Sequence, residues 1–209
     1  MYVQEIFTSI NGETTRSGEP TTFVRLYGCN VKCLYCDQPQ SLKDKKKMSV
    51  KKVVEEVRRR MVKNVCITGG EPLIQDEVYQ VAYELVDYGY DVIIETNGTI
   101  HLDDFSRRKY HYIMDVKTPS SGVSSKNKYS NLGLLLPSDE VKFVIANKED
   151  YEFMKRVLEK YPTYAKVLVS PMFDRDLKPT IGKELVEWIL ADKLNVKVQL
   201  QIHKIIEVL

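Results

Sequence analysis

The sequence FVRLYGCNVKCLYCD, residues 23–37, decides the fold of this chain. Its first five residues are rich in β-branched and aromatic side chains, which is typical of a buried strand, and Gly28 marks a turn after them. Cys29, Cys33 and Cys36 follow with C-x3-C-x2-C spacing, so that three of the four cysteines lie within eight residues. This arrangement predicts a strand whose carboxyl end carries a loop of thiol ligands.

Five more runs of the same kind lie along the chain and predict buried strands. With the first run, the predicted strands cover residues 23–27, 64–68, 91–96, 110–116, 141–146 and 166–170. Helical spacings lie between these runs. Ser49 is a candidate N-cap for the first helix, because apolar residues follow it on one face. That face contains Val50, Val53, Val54, Val57 and Met61.

Alternation of strands and helices predicts βα units around a mainly parallel sheet, because parallel neighbours need a crossover connection. About six such units are fewer than the eight of a closed barrel. The expected fold class is therefore α/β, either an open, partial TIM-like barrel or a doubly wound sheet, in a single domain covering residues 1–209. In both folds ligands bind at the carboxyl ends of the strands. The loops there read GCNVKCLYCD, GGEP, NGT, KTPSSG and SPMF.

The composition excludes several classes of function. Hydrophobic residues make up 43% and charged residues 29% of the 209 residues, as in a soluble globular chain. Thirty-one Lys and Arg against 29 Asp and Glu leave a net charge of +2, too balanced for bulk nucleic-acid binding or an electrostatic membrane anchor. No apolar run approaches the ~18–20 residues of a membrane-spanning helix, and no secretory signal is recognisable. A cytoplasmic location is expected, where disulfides are rare.

The cysteine loop is the strongest candidate site. Thiolates are soft ligands that suit iron–sulfur clusters or zinc. Three of them on one loop can hold three corners of a four-iron cluster and leave one iron open, whereas structural zinc needs a fourth protein ligand. A zinc site completed by a distant histidine, and three unrelated core cysteines, are the alternatives. Cys66 lies inside an apolar run and is expected to be a buried, inert thiol.

A second motif, GGEP, spans residues 69–72 and follows the next predicted strand. Two glycines let the backbone approach a ligand closely, and free amides and carbonyls there can bond a polar group. Alone, GGEP is equally compatible with an ordinary turn into a helix that has proline in its first turn. One strand after the cysteine loop, and in the same position relative to its strand, it indicates a joint site.

The two motifs together, with Tyr35 directly before the last cysteine, resemble those of the radical S-adenosylmethionine superfamily. The resemblance implies a 4Fe–4S cluster whose open iron chelates the amino and carboxyl groups of S-adenosylmethionine. One-electron reduction would then give methionine and a 5′-deoxyadenosyl radical, while the protein orients the cofactor and excludes water.

A narrower resemblance covers residues 4–209, essentially the whole chain. EIFTSINGE, the cysteine loop, TGGEP, IETNGT, DVKTPSSG and QLQIHK resemble motifs of the 7-carboxy-7-deazaguanine synthase family. This resemblance implies a homodimeric lyase with a reduced barrel that converts 6-carboxy-5,6,7,8-tetrahydropterin to 7-carboxy-7-deazaguanine with release of ammonia. The reaction is a step toward queuosine, archaeosine and related nucleosides.

The resemblance also implies roles for individual residues. The cluster ligands are Cys29, Cys33 and Cys36. Contacts to S-adenosylmethionine come from Tyr35, Cys36, Asp37, Gly70, Asp115, Val116, Lys117 and Ser170. Contacts to the pterin come from Ile10, Asn11, Gly12, Glu13, Arg25, Thr68 and the terminal Leu209. Gln38 stands where the family usually has a Thr or Ser ligand of magnesium, so a weakened dependence on Mg²⁺ is expected.

The residue types suit a carboxylated pterin, although ordinary structural roles remain open. Arg25 can bind the substrate carboxylate through a bidentate fork, or it can pair with a neighbouring acid. Glu13 can accept from the guanidine-like edge of the pterin, or it can be a solvated turn residue. His203 is a substrate contact or a structural histidine. Met172 and Phe173 are expected in the pocket wall.

A short basic segment with Lys43, Lys45, Lys46 and Lys47 follows the cysteine loop. It is either a solvated loop or a docking site for an acidic electron donor such as flavodoxin or ferredoxin.

Two rival functions share part of the pattern. One is an activating enzyme that abstracts hydrogen from a glycine of a partner protein, and the other is a zinc-stabilised binding module without catalysis. The INGE and QIHK segments favour a small pterin over a protein loop.

Overall fold

In the computed structural model the described residues are 1–36, 45–102, 109–174 and 178–208. Within them nine strands form one sheet in the order β3-β1-β2-β4-β5-β6-β7-β8-β9. The strands are β1 (Tyr2–Ile10), β2 (Pro20–Leu26), β3 (Lys46–Lys47), β4 (Asn64–Gly69), β5 (Asp91–Thr96), β6 (His111–Asp115), β7 (Glu140–Ile145), β8 (Lys166–Pro171) and β9 (Lys197–Val198). Neighbours from β2 to β9 are parallel, whereas β1 is antiparallel to both β2 and β3. The sheet is open, with β3 and β9 at its edges.

This sheet confirms the predicted α/β class and its mainly parallel, unclosed architecture. All six predicted strands are present, as β2 and β4 to β8, with ends that differ by at most three residues. The sequence did not predict β1, β3 and β9. Most residues of β1 are only partly buried and mixed in polarity, so it lacks the apolar run of a central strand. The other two have only two residues each.

Five α-helices occur in the described residues. They are α1 (Val50–Arg59), α2 (Glu77–Asp87), α3 (Lys148–Lys160), α4 (Gly182–Ala191) and α5 (Ile202–Ile205). The predicted cap is confirmed, because the Ser49 side chain accepts from the backbone N–H of Lys52 at 3.3 Å. The placement of Met61 on the apolar face is wrong, since Met61 follows the helix end and is 87% exposed. Between β6 and β7 the chain forms only short 3₁₀ turns, so not every strand pair is joined by an α-helix.

The two faces of the sheet differ in chemistry because successive side chains of a strand point to opposite sides. One face packs with the helices into the main apolar core. It contributes Val24, Leu26, Val65, Ile67, Val92, Ile94, Met114, Val141, Phe143 and Val169. The alternate residues of the same strands form the inner face and include Arg25, Thr68, Glu95, Asp115 and Lys142. Charged side chains on an inner face predict a ligand site there, since their burial is costly without partners.

A hairpin loop of residues 11–19 joins β1 to β2 at the amino end of the parallel strands. The C-terminal segment packs against it. The backbone N–H of Ile202 donates to the carbonyl of Gly12 at 2.9 Å, and the N–H of Thr14 donates to Oε1 of Gln199 at 2.6 Å. The last described helix is thereby attached to the INGE segment.

Among the described helices, none is both long and apolar enough to cross a membrane.

Candidate active site

A cavity of about 460 Å³ lies on the inner face of the sheet. The cysteine loop, the GGEP loop, the INGE segment and the C-terminal helix all contribute to its wall. The predicted site residues in that wall are Ile10, Asn11, Gly12, Glu13, Arg25, Cys29, Cys33, Tyr35, Cys36, Thr68, Gly70, Asp115 and Lys117, together with Met172, Phe173 and His203. The fold therefore brings together residues from both ends of the chain.

Among the described residues, two of the predicted site residues do not form part of the cavity wall. Val116 and Ser170 are buried beside it but do not line it. The Ser170 hydroxyl donates to the carbonyl of Gln199 at 3.3 Å, and the N–H of Val116 donates to the carbonyl of Lys142 at 2.9 Å. Three further residues, Asp37, Gln38 and Leu209, lie outside the described part of the chain. Their roles stay predictions.

The thiol loop leaves β2 at the carboxyl edge of the sheet. Cys29 and Cys33 are half-buried and Cys36 is exposed. Burial raises the pKa of Cys33, and the nearby Lys117 ammonium opposes that shift. Within the described residues, no three His, Cys, Asp or Glu side chains converge closely enough to hold one metal ion. Three thiolates on one loop fit a four-iron cluster, which takes one thiolate per iron and leaves its fourth iron open, whereas structural zinc needs a fourth protein ligand.

A neighbouring chain segment lies so close to the two glycines of GGEP that it leaves no room for a side chain at either position. A Cβ on Gly70 would stand 2.1 Å from the carbonyl oxygen of Gly28, and one on Gly69 would stand 2.2 Å from that of Leu26. The N–H of Glu71 donates to the Gly28 carbonyl at 2.9 Å. The two loops thus lie backbone against backbone at the ends of the neighbouring strands β2 and β4.

Glu71 is a buried acceptor that joins three segments. Its carboxylate accepts from the N–H of Leu73 at 3.0 Å, the hydroxyl of Thr96 at 2.9 Å and the N–H of Asn97 at 2.6 Å. The Asn97 amide in turn donates to Oδ1 of Asn30 in the cysteine loop at 3.0 Å. Burial raises the pKa of Glu71, and these three donors oppose that shift. The role of this motif residue is to hold the post-strand loops in place.

An ion pair occupies the floor of the cavity. Nζ of Lys142 lies 2.9 Å from Oε2 of Glu13, and the amide of Gln201 donates to Oε1 of Glu13 at 2.9 Å. Burial alone would raise the pKa of Glu13, but Lys142 and Gln201 outweigh it and lower the pKa to about 2. Glu13 is therefore ionised at neutral pH and is not a solvated turn residue.

A second pair lies at the carboxyl end of β6. Nζ of Lys117 is 2.9 Å from Oδ2 of Asp115, and Nζ of Lys142 is 3.8 Å from the same oxygen. The other oxygen of Asp115 is buried and has no hydrogen-bond partner among the described residues. A buried acceptor without a partner is costly, so this oxygen suits a donor on a bound ligand.

Glu95 and Thr68 face the cavity from adjacent strands. The Thr68 hydroxyl donates to Oε2 of Glu95 at 2.9 Å. Burial raises the pKa of Glu95, and the Glu13 carboxylate adds to the shift while Lys142 opposes it. Cys66 lies on the same face of β4 and is fully buried, and burial raises its pKa well above the usual value. It is a buried thiol, as predicted.

Arg25 lies on β2, beside the antiparallel strand β1. It forms an ion pair with Glu5, its partner on β1, and its guanidinium lies 4.8 Å from the centroid of the Phe7 ring. Phe7 and Phe23 stack with their centroids 5.1 Å apart. Arg25 thus pairs with a neighbouring acid, which was one of the two predicted roles. It also lines the cavity, which the other predicted role, binding of the substrate carboxylate, requires.

Sequence reasoning missed several residues of this wall. Lys142, Glu95, Gln201 and Asn97 all line the cavity. A signal was present for two of them, because Lys142 interrupts the apolar run VKFVI and Glu95 ends the run VIIE. A charged residue inside a buried strand is rare unless it is paired or functional.

The fold and site are those of a radical S-adenosylmethionine protein, and the family model described as "Radical SAM superfamily" matches residues 23–172. The 7-carboxy-7-deazaguanine synthase of Methanospirillum hungatei is 41% identical and covers 99% of this chain and 85% of its own length. That of Koribacter versatilis is 37% identical, with coverages of 99% and 96%. The chain belongs to the 7-carboxy-7-deazaguanine synthase family.

Solved structures show the same fold. QueE from Escherichia coli superimposes with a TM-score of 0.76 at 20% identity and covers 95% of this chain and 93% of its own. SuiB from Streptococcus suis, bound to S-adenosylmethionine, gives a TM-score of 0.60 at 11% identity and covers 83% and 48% of the two chains. Neither the glycine-radical activating enzyme nor the zinc module is favoured by these likenesses.

Proposed function

We propose that this chain converts 6-carboxy-5,6,7,8-tetrahydropterin to 7-carboxy-7-deazaguanine and ammonia, with a 4Fe–4S cluster and S-adenosylmethionine as cofactors. The observation that carries the proposal is a single cavity that joins the three-thiol loop to an ionised floor. A radical reaction on a polar heterocycle needs both features, since the cofactor supplies the reactivity and the protein supplies orientation.

Cys29, Cys33 and Cys36 would hold the cluster. When bound, cluster and S-adenosylmethionine supply a carbon radical that can remove a hydrogen atom from the substrate. The contacts proposed for S-adenosylmethionine are Tyr35, Cys36, Asp37, Gly70, Asp115, Val116, Lys117 and Ser170. The unpartnered oxygen of Asp115 supports this assignment, because the amino and hydroxyl groups of that cofactor are donors.

The pterin would bind in the cavity between Arg25 on β2 and Glu13 on the cavity floor. Arg25 is proposed to bind its carboxylate, because the ion pair with Glu5 uses Nη1 and leaves other guanidinium donors. Glu13 is proposed to accept from the guanidine-like edge, and its low pKa keeps it an acceptor at neutral pH. The remaining proposed contacts are Ile10, Asn11, Gly12, Thr68 and Leu209.

The surrounding residues would shield the reacting atoms from water. Phe7, Phe23, Ile113 and Val144 give the cavity apolar patches between its charged groups. Water exclusion strengthens the electrostatic contacts inside and protects a reactive intermediate.

Three finer features are also proposed. An acidic electron donor such as flavodoxin or ferredoxin is proposed to dock at the basic segment, whose described lysines are exposed: Lys45, Lys46 and Lys47. Lys43, which belongs to the same prediction, lies outside the described residues. The enzyme is proposed to be a cytoplasmic homodimer. Weakened magnesium dependence at Gln38 stays a prediction, and turnover against magnesium concentration in wild type and Gln38→Thr would test it.

The direct experiment is anaerobic incubation of the reconstituted protein with S-adenosylmethionine, a reductant and 6-carboxy-5,6,7,8-tetrahydropterin. Mass spectrometry should detect 7-carboxy-7-deazaguanine only when all components are present. Reduction-dependent cleavage of S-adenosylmethionine without any deazapurine product would overturn the proposed substrate. A colourless protein with bound zinc after reconstitution would overturn the cofactor assignment as well.

A further inference from the structure

Lys142 is a charged residue within a buried strand that no predicted role accounts for. It is the third residue of β7, on the inner face of the sheet, and is only 9% exposed. Burying an ammonium group costs free energy unless opposite charges and hydrogen bonds compensate for the lost water. The identity of the compensating groups therefore indicates what Lys142 does.

Its two carboxylate partners come from different parts of the site. Glu13, at 2.9 Å, belongs to the INGE segment after β1 and is a proposed pterin contact. Asp115, at 3.8 Å, ends β6 and is a proposed contact to S-adenosylmethionine. Asp115 and Lys142 are also opposite each other in the register of β6 and β7. One ammonium group thus lies between the two proposed ligand sites.

The charges around Lys142 make the arrangement specific. Glu13 has Gln201 on its other oxygen, and Asp115 has Lys117 on the oxygen that faces Lys142. Without Lys142, Glu13 would keep one amide donor in a buried setting and would be free to rotate away or take up a proton. The carboxylate orientation that the pterin edge needs would then be lost.

We propose that Lys142 is a positioning residue. Its ammonium group lies next to Asp115, a proposed S-adenosylmethionine contact, and holds the Glu13 carboxylate in place for the pterin. This inference rests on the proposed function. It concerns the relative placement of substrate and cofactor, not the cluster itself.

The test uses cluster-loaded protein and compares wild type, Lys142→Met, Lys142→Arg and the surface control Lys183→Met, which loses an exposed ion pair with Glu187. Calorimetry without reductant gives dissociation constants for S-adenosylmethionine and for 6-carboxypterin, a stable probe. Lys142→Met should weaken 6-carboxypterin roughly tenfold or more and S-adenosylmethionine less than about threefold. Lys142→Arg should recover part of the pterin affinity because it keeps the charge.

With reductant and the tetrahydropterin, Lys142→Met should form more 5′-deoxyadenosine per deazapurine than wild type, because a misplaced substrate meets the radical unproductively. A thermodynamic cycle with Glu13→Gln isolates the mechanism. In that background Lys142→Met should weaken 6-carboxypterin by less than about twofold, since no carboxylate remains to be positioned. A merely structural role predicts additive losses instead.

Unchanged pterin affinity and product ratio in Lys142→Met, or additive losses in the cycle, would overturn the inference. If Lys142→Met does not fold, Lys142→Gln replaces it under the same criteria. Failure of the proposed function looks different, because wild type itself would then form no deazapurine.

Discussion

Gly12 lies directly against His203, so closely that a Cβ on Gly12 would stand 1.8 Å from Nδ1 of the histidine. The same Cβ would stand 2.7 Å from the Cβ of His203. The Ile202 N–H donates to the Gly12 carbonyl beside this contact. The C-terminal helix therefore packs on the INGE segment at a distance that only glycine allows.

Gly12→Ala should separate the C-terminal helix from the INGE segment. We expect a loss of roughly 1–3 kcal/mol in the free energy of unfolding, as for other overpacked sites, together with weaker 6-carboxypterin binding. Gly133→Ala is the matched control, because a Cβ there would meet nothing within 4 Å. Denaturant unfolding and calorimetry measure the two effects. Equal stability and pterin binding in the two alanine variants would show that His203 can move away from an added Cβ without loss of stability.

Glu71→Gln should destabilise the loops around the cysteines. The carboxylate accepts three hydrogen bonds, whereas a glutamine amide turns one donor group toward other donors. We expect a loss of about 1–3 kcal/mol of stability and a lower iron content after reconstitution. Glu84→Gln is the control, because this carboxylate is partly exposed on α2 and accepts from the Gln80 side chain of the same helix. A Glu71→Gln protein with wild-type stability and full iron content would mean that a neutral acceptor is enough.

The three loop cysteines should behave differently from the fourth. Replacing Cys29, Cys33 or Cys36 by Ala should abolish the cluster and all turnover, because each thiolate is expected to bind one iron. Cys66→Ala should keep both, at a cost of roughly 1 kcal/mol for the small cavity it leaves. Iron and sulfide analysis after anaerobic reconstitution distinguishes these cases. Loss of iron from the Cys66 variant alone would disprove the ligand assignment.

Arg25→Lys should weaken the pterin more than S-adenosylmethionine. The lysine keeps a positive charge near Glu5 but loses the planar fork, so we expect the binding free energy of the pterin to weaken by about 1–3 kcal/mol. Arg59→Lys is the control, since that side chain is largely exposed beside Glu56. Calorimetry with each ligand separates the effects. Equal weakening of both ligands would mean that Arg25 only supports the packing of β1 on β2.

Acid should remove stability through Glu13. The folded pKa of about 2 lies below the ordinary 4.5, so the unfolded chain binds more protons between these values. The contribution is complete above pH 4.5 and is lost as the pH falls through 2, with an upper limit of about 3 kcal/mol. The free energy of unfolding, measured with urea from about pH 5 to pH 3, should fall less steeply in Glu13→Gln than in wild type. Parallel curves for the two proteins would contradict the pairing with Lys142.

Much of the fold could be predicted because its signals are local. The run before Cys29 predicted β2, the spacing after Ser49 predicted α1, and both are present. Where the signal depends on distant contacts, prediction failed. β1 has no apolar run of its own, and it becomes a strand because it pairs along β2 from Val3 to Ile10.

By itself the sequence determined the order of strands and helices, the thiol loop at the end of β2 and the family to which the chain belongs. Only the tertiary structure decided which charges meet in the cavity. Glu13 pairs with Lys142 across 129 positions and with Gln201 across 188. Periodicity and turn residues act over a few positions, whereas such pairs depend on strand order, register and the placement of a hairpin loop. No local pattern carries that information, because it arises when the sheet assembles and buries the charges together.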